Sequence, residues 1–287
     1  MLLPQLIANS LIAGAIYTLL AVSFSMAFRV TKFFNFAHGA IAAVGGYAVF
    51  FFLQAFATNA IIGIGVGILF AGVLGFLIEK CIYLPLRKRK SSNTVLLVAS
   101  LGVFTIIEAL LAILFSSQFQ TLPSVFGLDA TVEIFGAVLS GIQIVAIVAS
   151  VLVTTGLVLF LRFTKFGKEI RAVSDSEEVS KIVGINTNAL IGKVFLVSAL
   201  IAGFAGMCAG FDTGIEPTMG LQLLLKGIIA SIIGGLGSIY GGALGGFLLG
   251  FVENFGVWQF SGEWKDAIAF AVLILFLLLR PQGITKQ

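Results

Sequence analysis

Charge is what this sequence has least of. Only 10% of its residues are Asp, Glu, Lys or Arg, against 59% apolar, and its mean hydropathy is +1.12. Such a composition cannot form a water-facing surface, so lipid is the solvent for most of the chain. Histidine is nearly absent as well. His38 stands alone, which leaves no H-E-x-x-H metal motif and no paired acid–base site. Cys81 and Cys208 are far apart, without metal-ligand spacing, and read as unpaired structural thiols. No G-x-x-x-x-G-K-[ST] occurs: Gly167-Lys168 and Gly192-Lys193 lack both the upstream glycine and the following hydroxyl. No metal or cofactor is therefore expected on this chain, and any ATP would sit on another polypeptide. The net charge of +4 reports membrane topology rather than an affinity for nucleic acid.

Long apolar runs fill the rest. A helix needs about 20 apolar residues to cross the hydrocarbon. Crossings are expected near 5–28, 36–56, 60–78, 93–115, 134–161, 187–211, 239–258 and 266–280. A shorter, glycine-interrupted stretch at 221–236 reads as a tilted crossing or a re-entrant half-helix. Continuous apolar runs, rather than dyad alternation, exclude a β-barrel. The first run lacks the basic flank and small-residue cleavage site of a signal peptide, so it is expected to stay as a helix. The fold class is an all-α polytopic bundle of eight to nine crossings, with residues 1–287 as one membrane domain.

Basic residues set the orientation. Fifteen of the seventeen Lys and Arg fall at one face: Arg29 and Lys32, the run from Lys80 to Lys90, the loop 162–186 with Lys193, and Arg280 with Lys286. The opposite loops carry Asp129, Glu133, Asp212 and Glu216 instead. The polar loop and the tail then face the cytoplasm, which requires 221–236 to cross and makes nine crossings in all.

That polar loop, Gly167-Lys-Glu-Ile-Arg-Ala-Val-Ser-Asp-Ser-Glu-Glu-Val-Ser-Lys-Ile-Val-Gly-Ile-Asn186, is rich in both signs of charge in a chain that has few. Ser174-Asp-Ser-Glu177 and Asp175-Ser-Glu-Glu178 both fit a capping pattern, and Gly184 suits a left-handed helix end. Asn186 or Thr187 suits the cap of the next crossing. The expectation is one surface helix of about two turns. Val179, Ile182 and Val183 would pack on a partner, with Glu177, Glu178 and Lys181 around the contact. Gly167, Glu169, Arg171 and Gly184 complete the candidate coupling set. A plain solvated loop would need no caps.

Two small-residue stripes stand out. One runs Gly234, Ser238, Gly242, Gly246, Gly250 at four-residue spacing; the other runs Ser10, Gly14, Thr18, Ala21, Ser25. Small-xxx-small spacing lets helix backbones approach closely, and packing alone accounts for the first stripe. Gly234, Gly235 and Gly237 also suit a helix break beside a transport route, as do Asn35, His38 and Gly39. The text from Gly39 to Gly46 loosely echoes Gly227 to Gly235. Glu108, Lys226 and Glu253 fall within apolar runs. An unpaired charge costs on the order of 3 kcal/mol at the bilayer centre, so Lys226 is expected to pair with Glu253 or Glu108.

The polar loop, Asn35-Phe-Ala-His-Gly39, the stretch Lys226 to Gly242 and the tail Leu279-Arg-Pro-Gln-Gly283 together resemble one family across nearly the whole chain. It is the permease subunit of branched-chain amino acid ABC importers, of the LivH type. The resemblance implies a second permease of the LivM type, two cytoplasmic ATPase subunits and a periplasmic substrate-binding protein, assembled at the inner membrane. It also implies that 168–186 is a coupling helix seated on an ATPase. Related permeases move urea or short amides, and their motifs overlap with these. An ion-coupled carrier working alone would instead need Glu108 or Glu253 to titrate, and an intramembrane enzyme would need a constellation that one histidine cannot supply.

Overall fold

The computed structural model describes residues 2–55, 59–123, 125 and 130–285. Helix α1 (Leu2–Thr31) leads into α2 (Ala37–Ala55) and α3 (Ala60–Ile78). A π-helical turn (Glu79–Tyr83) and the short α4 (Leu84–Lys88) extend α3 without a break, and α5 (Asn93–Phe115) returns. A hairpin of β1 (Thr131–Ile134) and β2 (Ala137–Ser140) precedes α6 (Gly141–Phe163). Then come α7 (Lys165–Asp175), α8 (Glu177–Ile182), α9 (Thr187–Thr213), α10 (Met219–Gly234), α11 (Ile239–Gln259) and α12 (Lys265–Leu279).

The interior of the bundle is built on small residues. Gly246 lies against the backbone of Thr18, Gly250 against that of Gly14 and Ser10, and Gly242 against Ala21 and Ser25. Gly242, Gly246 and Gly250 of the first stripe therefore meet the second stripe along the antiparallel seam of α1 and α11, while Gly234 ends α10 and packs on Gly241. A Cβ added at Gly246 would sit 2.5 Å from the Thr18 nitrogen, so nothing larger than hydrogen fits. The α2–α9 crossing repeats the device, with Gly45 on Gly203 and Gly206 on the Ala42 carbonyl. Lipid offers no hydrophobic drive for helices to associate, so close van der Waals packing of this kind holds the bundle.

Three features bear on the expected spans. First, the fifth apolar run does not become helix at 134. Residues 131–140 pair as a hairpin around Phe135-Gly136, both with positive φ (52° and 82°), the geometry of a two-residue turn. A capping box of Ser140 with Gln143 then starts α6 at Gly141. Ala137 and Leu139 pack on Ala8 and Ile12, and Gln5 bonds both backbone groups of Val138 at 2.8 and 3.1 Å. The hairpin thus braces the first turns of α1.

Second, six helices among the described residues are long and apolar enough to cross, or seven if α10 and α11 count as one broken span. Eight to nine crossings were expected from the apolar letters. Helix α10 has 16 residues and α12 has 15, about 24 and 22 Å of helix against a core of about 30 Å. Third, α10 and α11 meet at 116° across Gly235–Ser238. Gly227 packs on Leu20 and Ser231 bonds Ser25 at 2.7 Å, so α10 lies beside the later half of α1.

The basic segments gather at one end. Asn93 donates to the Lys32 carbonyl at 3.3 Å, and the Lys32 ammonium reaches Ser174 at 3.5 Å. Of the residues used for orientation, Asp129 and Lys286 lie outside the described residues.

The seam makes a direct prediction. Gly246→Leu forces α1 and α11 apart, an overpacking penalty of about 1–3 kcal/mol or more. Its level in the membrane and its melting temperature in detergent should both fall. Gly156→Ala, where an added Cβ meets nothing within 4 Å, should leave both unchanged. Equal stability of the two variants would contradict the seam.

Candidate coupling face and polar interior

The polar loop folds as two helices rather than one. Thr164 caps α7, accepting from the Gly167 amide at 3.3 Å, and α7 turns Ile170 and Val173 into the core. Ser176, not Ser174 or Asp175, caps α8: its hydroxyl accepts from the Val179 amide at 3.3 Å. Residues 174 and 175 instead finish α7. Gly184 ends α8 at φ +87°, and Asn186 caps α9 by accepting from the Ala189 amide at 3.1 Å, both as expected.

The candidate coupling residues therefore divide. Gly167 is buried, with the Leu161 carbonyl where a Cβ would go, and the Arg171 guanidinium donates to that same carbonyl at 2.8 Å. These two hold α7 against α6, while Glu169 is half-buried on α7. The outward surface belongs to α8. Val179, Ile182 and Val183 are 57%, 83% and 68% exposed, beside the exposed Glu178 and Lys181. Underneath, Ser180 is buried and the Thr187 hydroxyl donates to Glu177 at 3.3 Å. Glu177 also pairs with Lys181 at 2.7 Å. Burial pushes the Glu177 carboxyl up, but Lys181, Arg87 and the Thr187 hydroxyl outweigh it and hold the group below the usual range. The charged form is thus kept, and α8 stays pinned to the start of α9. Three neighbouring apolar side chains thus form an exposed apolar patch on the outer face of a pinned helix.

The Asn35–Gly39 segment is a junction inside the bundle. The Tyr83 hydroxyl donates to the Asn35 Oδ1 at 2.8 Å, and the Phe36 amide donates to Ser100 Oγ at 3.0 Å. His38 Nε2 lies 2.9 Å from Ser23 Oγ, with its ring edge-on to Phe24. Gly39 abuts the Gly220 carbonyl at the start of α10, whereas Gly227, Gly234 and Gly235 of the second glycine-broken segment pack on Leu20, Gly241 and Thr285 instead. The second break is closed by the tail. The Ile284 and Thr285 amides donate to the Ile233 and Gly234 carbonyls at 2.9 and 3.0 Å, and the Thr285 hydroxyl donates to the Gly234 carbonyl at 2.7 Å with its oxygen 2.9 Å from Ser238 Oγ. Gly235 and Gly237 supply the positive φ (110° and 83°) that the break requires.

Of the intramembrane charges, Lys226 and Glu253 form an ion pair. Lys226 also reaches Asp266 at 2.8 Å, and the Tyr17 hydroxyl donates to the second Glu253 oxygen at 2.8 Å. Four helices, α1, α10, α11 and α12, are joined at this point. A cavity of about 180 Å³ adjoins it, bordered by Tyr17, Asp212, Gln222, Lys226 and Asp266. Glu108 is not brought into this cluster; it is half-buried on α5 and has no ion-pair partner among the described residues. Tyr17 and Asp266 were not foreseen, because neither spacing nor composition links them to Lys226. Nor was the pair of Arg87 with the buried Glu79, which spans the π-helical turn.

The sequence profile described as branched-chain amino acid transport system, permease component, matches residues 6–277. The chain belongs to this permease family. It is 31% identical to the high-affinity branched-chain amino acid transport system permease protein BraD of Pseudomonas aeruginosa, across 98% of this chain and 94% of BraD. It is 30% identical to LivH of Escherichia coli, a permease protein of the same description, again across 98% and 94%. Among solved structures, PsaBC from Streptococcus pneumoniae in complex with Fab superposes with a TM-score of 0.55 at 15% identity. That likeness covers 96% of this chain and 91% of that one, and concerns the fold. With its apolar helices, this permease is a multi-pass membrane protein and a transport component.

Removing one member of a buried ion pair strands the other, at about 3–5 kcal/mol. Lys226→Met should therefore lower the melting temperature of the permease in detergent more than Lys226→Met with Glu253→Met does. If the double variant melts lowest, the pair is not the clamp described.

Proposed function

We propose that this permease is the membrane-spanning subunit of an ATP-driven importer that carries branched-chain amino acids across the inner membrane. The exposed apolar face of α8 carries the reading. Helix α8 is capped at both ends, pinned by Glu177 and Thr187, and turned outward with Val179, Ile182 and Val183 uncovered. A separate ATPase would cover it, so ATP is bound on a partner and not by this chain. Closure of the ATPases would then pull on α8 and, through α7 and α9, on the bundle. A second permease of the LivM type and a periplasmic substrate-binding protein complete the proposed assembly. Glu133, Asp212 and Glu216, at the end opposite α8, are where the binding protein would meet this subunit.

The family and the relatives' described cargo support branched-chain amino acids as substrate. Urea or a short amide is the alternative within the same architecture. Of the two carboxylates an ion-coupled carrier would use, Glu253 has both oxygens engaged by Lys226 and Tyr17, which leaves that alternative to Glu108.

Ile182→Glu, at the most exposed apolar position of α8, should leave the protein in the membrane yet cut ATP-driven leucine uptake about tenfold or more, the loss of roughly 1.4 kcal/mol of docking energy. Glu177→Lys with Glu178→Lys should uncouple ATP hydrolysis from uptake. Wild-type uptake in both variants would refute the coupling role of α8. Uptake of labelled urea but not leucine by the reconstituted complex would move the substrate to the alternative.

A further inference from the structure

At the basic end of the bundle, α1, α6, α7 and α11 enclose a cavity of about 390 Å³ with no part in the coupling face. Arg29, Arg162 and Arg171 line it, together with Ser238 and Tyr240, and no acidic residue does. Among the described residues none of the three guanidinium groups is in an ion pair. Arg29 Nε is buried without a hydrogen-bond partner. Arg171 spends one donor on the Leu161 carbonyl, and Arg162 rests 5.6 Å from the centre of the Phe163 ring. Asp175 attracts Arg29 from beyond ion-pair distance and lines no part of the cavity.

Three guanidinium groups around one hollow repel each other, and burying an unpartnered Nε costs free energy unless something accepts from it. Each group presents several planar donors suited to phosphate oxygens. The cavity also takes in the first turn of α11, where backbone amides lack an intrahelical carbonyl and the helix dipole favours an anion. Its position selects the kind of anion. Arg29 and Arg162 lie in the last turns of the apolar helices α1 and α6, and Arg171 lies beside them on α7, so the cavity sits where two apolar spans end. Phe163 (73% exposed), Tyr240 (56%) and Leu244 (54%) lead from the cavity onto the apolar flank of α6 and α11. A tyrosine at this level is typical of the interface, and basic pockets between membrane helices hold anionic headgroups.

We propose that this cavity binds the phosphodiester headgroup of an anionic phospholipid, with its acyl chains along α6 and α11. The bound lipid joins α7, and through it α8, to the ends of α1 and α11. This site depends on the chain lying in a membrane and not on which substrate it carries.

The test uses the full chain with whatever subunits purify with it. The protein is reconstituted in phosphatidylcholine vesicles with or without phosphatidylglycerol, then examined by native mass spectrometry and thermal unfolding. Phosphatidylglycerol should be retained through detergent extraction and raise the melting temperature, whereas phosphatidylcholine alone should do neither. Arg162→Gln, at an exposed side chain where folding is not at risk, should weaken retention, and Arg29→Gln with Arg162→Gln should weaken it at least tenfold. Arg89→Gln, a basic residue outside the cavity, should retain the lipid as wild type does. Equal retention of both lipids, or wild-type retention by the double variant, would overturn the site. A melting shift reproduced by inorganic phosphate in pure phosphatidylcholine would overturn the lipid as the source of the anion.

Discussion

Backbone contact between α1 and α11 is the constraint on which most of the bundle depends. Water is absent from the hydrocarbon, so burying apolar surface gives helices no reason to leave lipid for one another. What remains is the close fit of atoms, and that fit requires small residues facing small residues. Gly242, Gly246 and Gly250 supply one side and Ser10, Gly14, Thr18, Ala21 and Ser25 the other. With the seam closed, Tyr17 comes within hydrogen-bond reach of Glu253, and Ser25 within reach of Ser231 on α10. The polar contacts of the core are possible because the seam is narrow.

Charge is treated by the same economy. Lys226 and Glu253 are tolerable in lipid because each meets an opposite charge, and because Tyr17 and Asp266 occupy what is left over. Each of four helices contributes one side chain, so the cluster fixes their mutual rotation as well as neutralising charge. At the other end the arrangement is reversed. Helix α8 leaves three apolar side chains exposed, and the cavity beside α7 leaves three arginines without acids. The Lys226–Glu253 cluster is satisfied within the chain, whereas the proposed docking face and lipid site at the basic end would be completed by other molecules.

Much of this was legible in the letters. The bounds of α3 and α5 and the glycine end of α8 follow from periodicity and caps, whereas the letters narrow the α9 cap only to Asn186 or Thr187 and the partner of Lys226 only to Glu253 or Glu108. Other features were hidden for physical reasons. Periodicity names a face but not its partner, so two matching stripes could be seen without seeing that they touch. Three consecutive residues, Ser174, Asp175 and Ser176, can all cap, and only the packing of Ile170 and Val173 decides that α7 runs on to Asp175. Apolar letters do not distinguish a strand from the start of a helix, so 134–140 was read as membrane span. The lengths of α10 and α12, 16 and 15 residues, match the apolar runs at 221–236 and 266–280, because a glycine break and a short polar link bound each run in the letters as well.

The closure of the glycine break bears on how the chain is assembled. Ile233 and Gly234, the last residues of α10, find partners for their carbonyls in Ile284 and Thr285, 51 residues on in each case. During synthesis α10 emerges well before them, so these carbonyls stay without those partners until α11 and α12 have been made. A buried carbonyl left unpaired costs free energy, which makes the closed break a late contact in the assembly of the chain, supplied by residues well beyond α10.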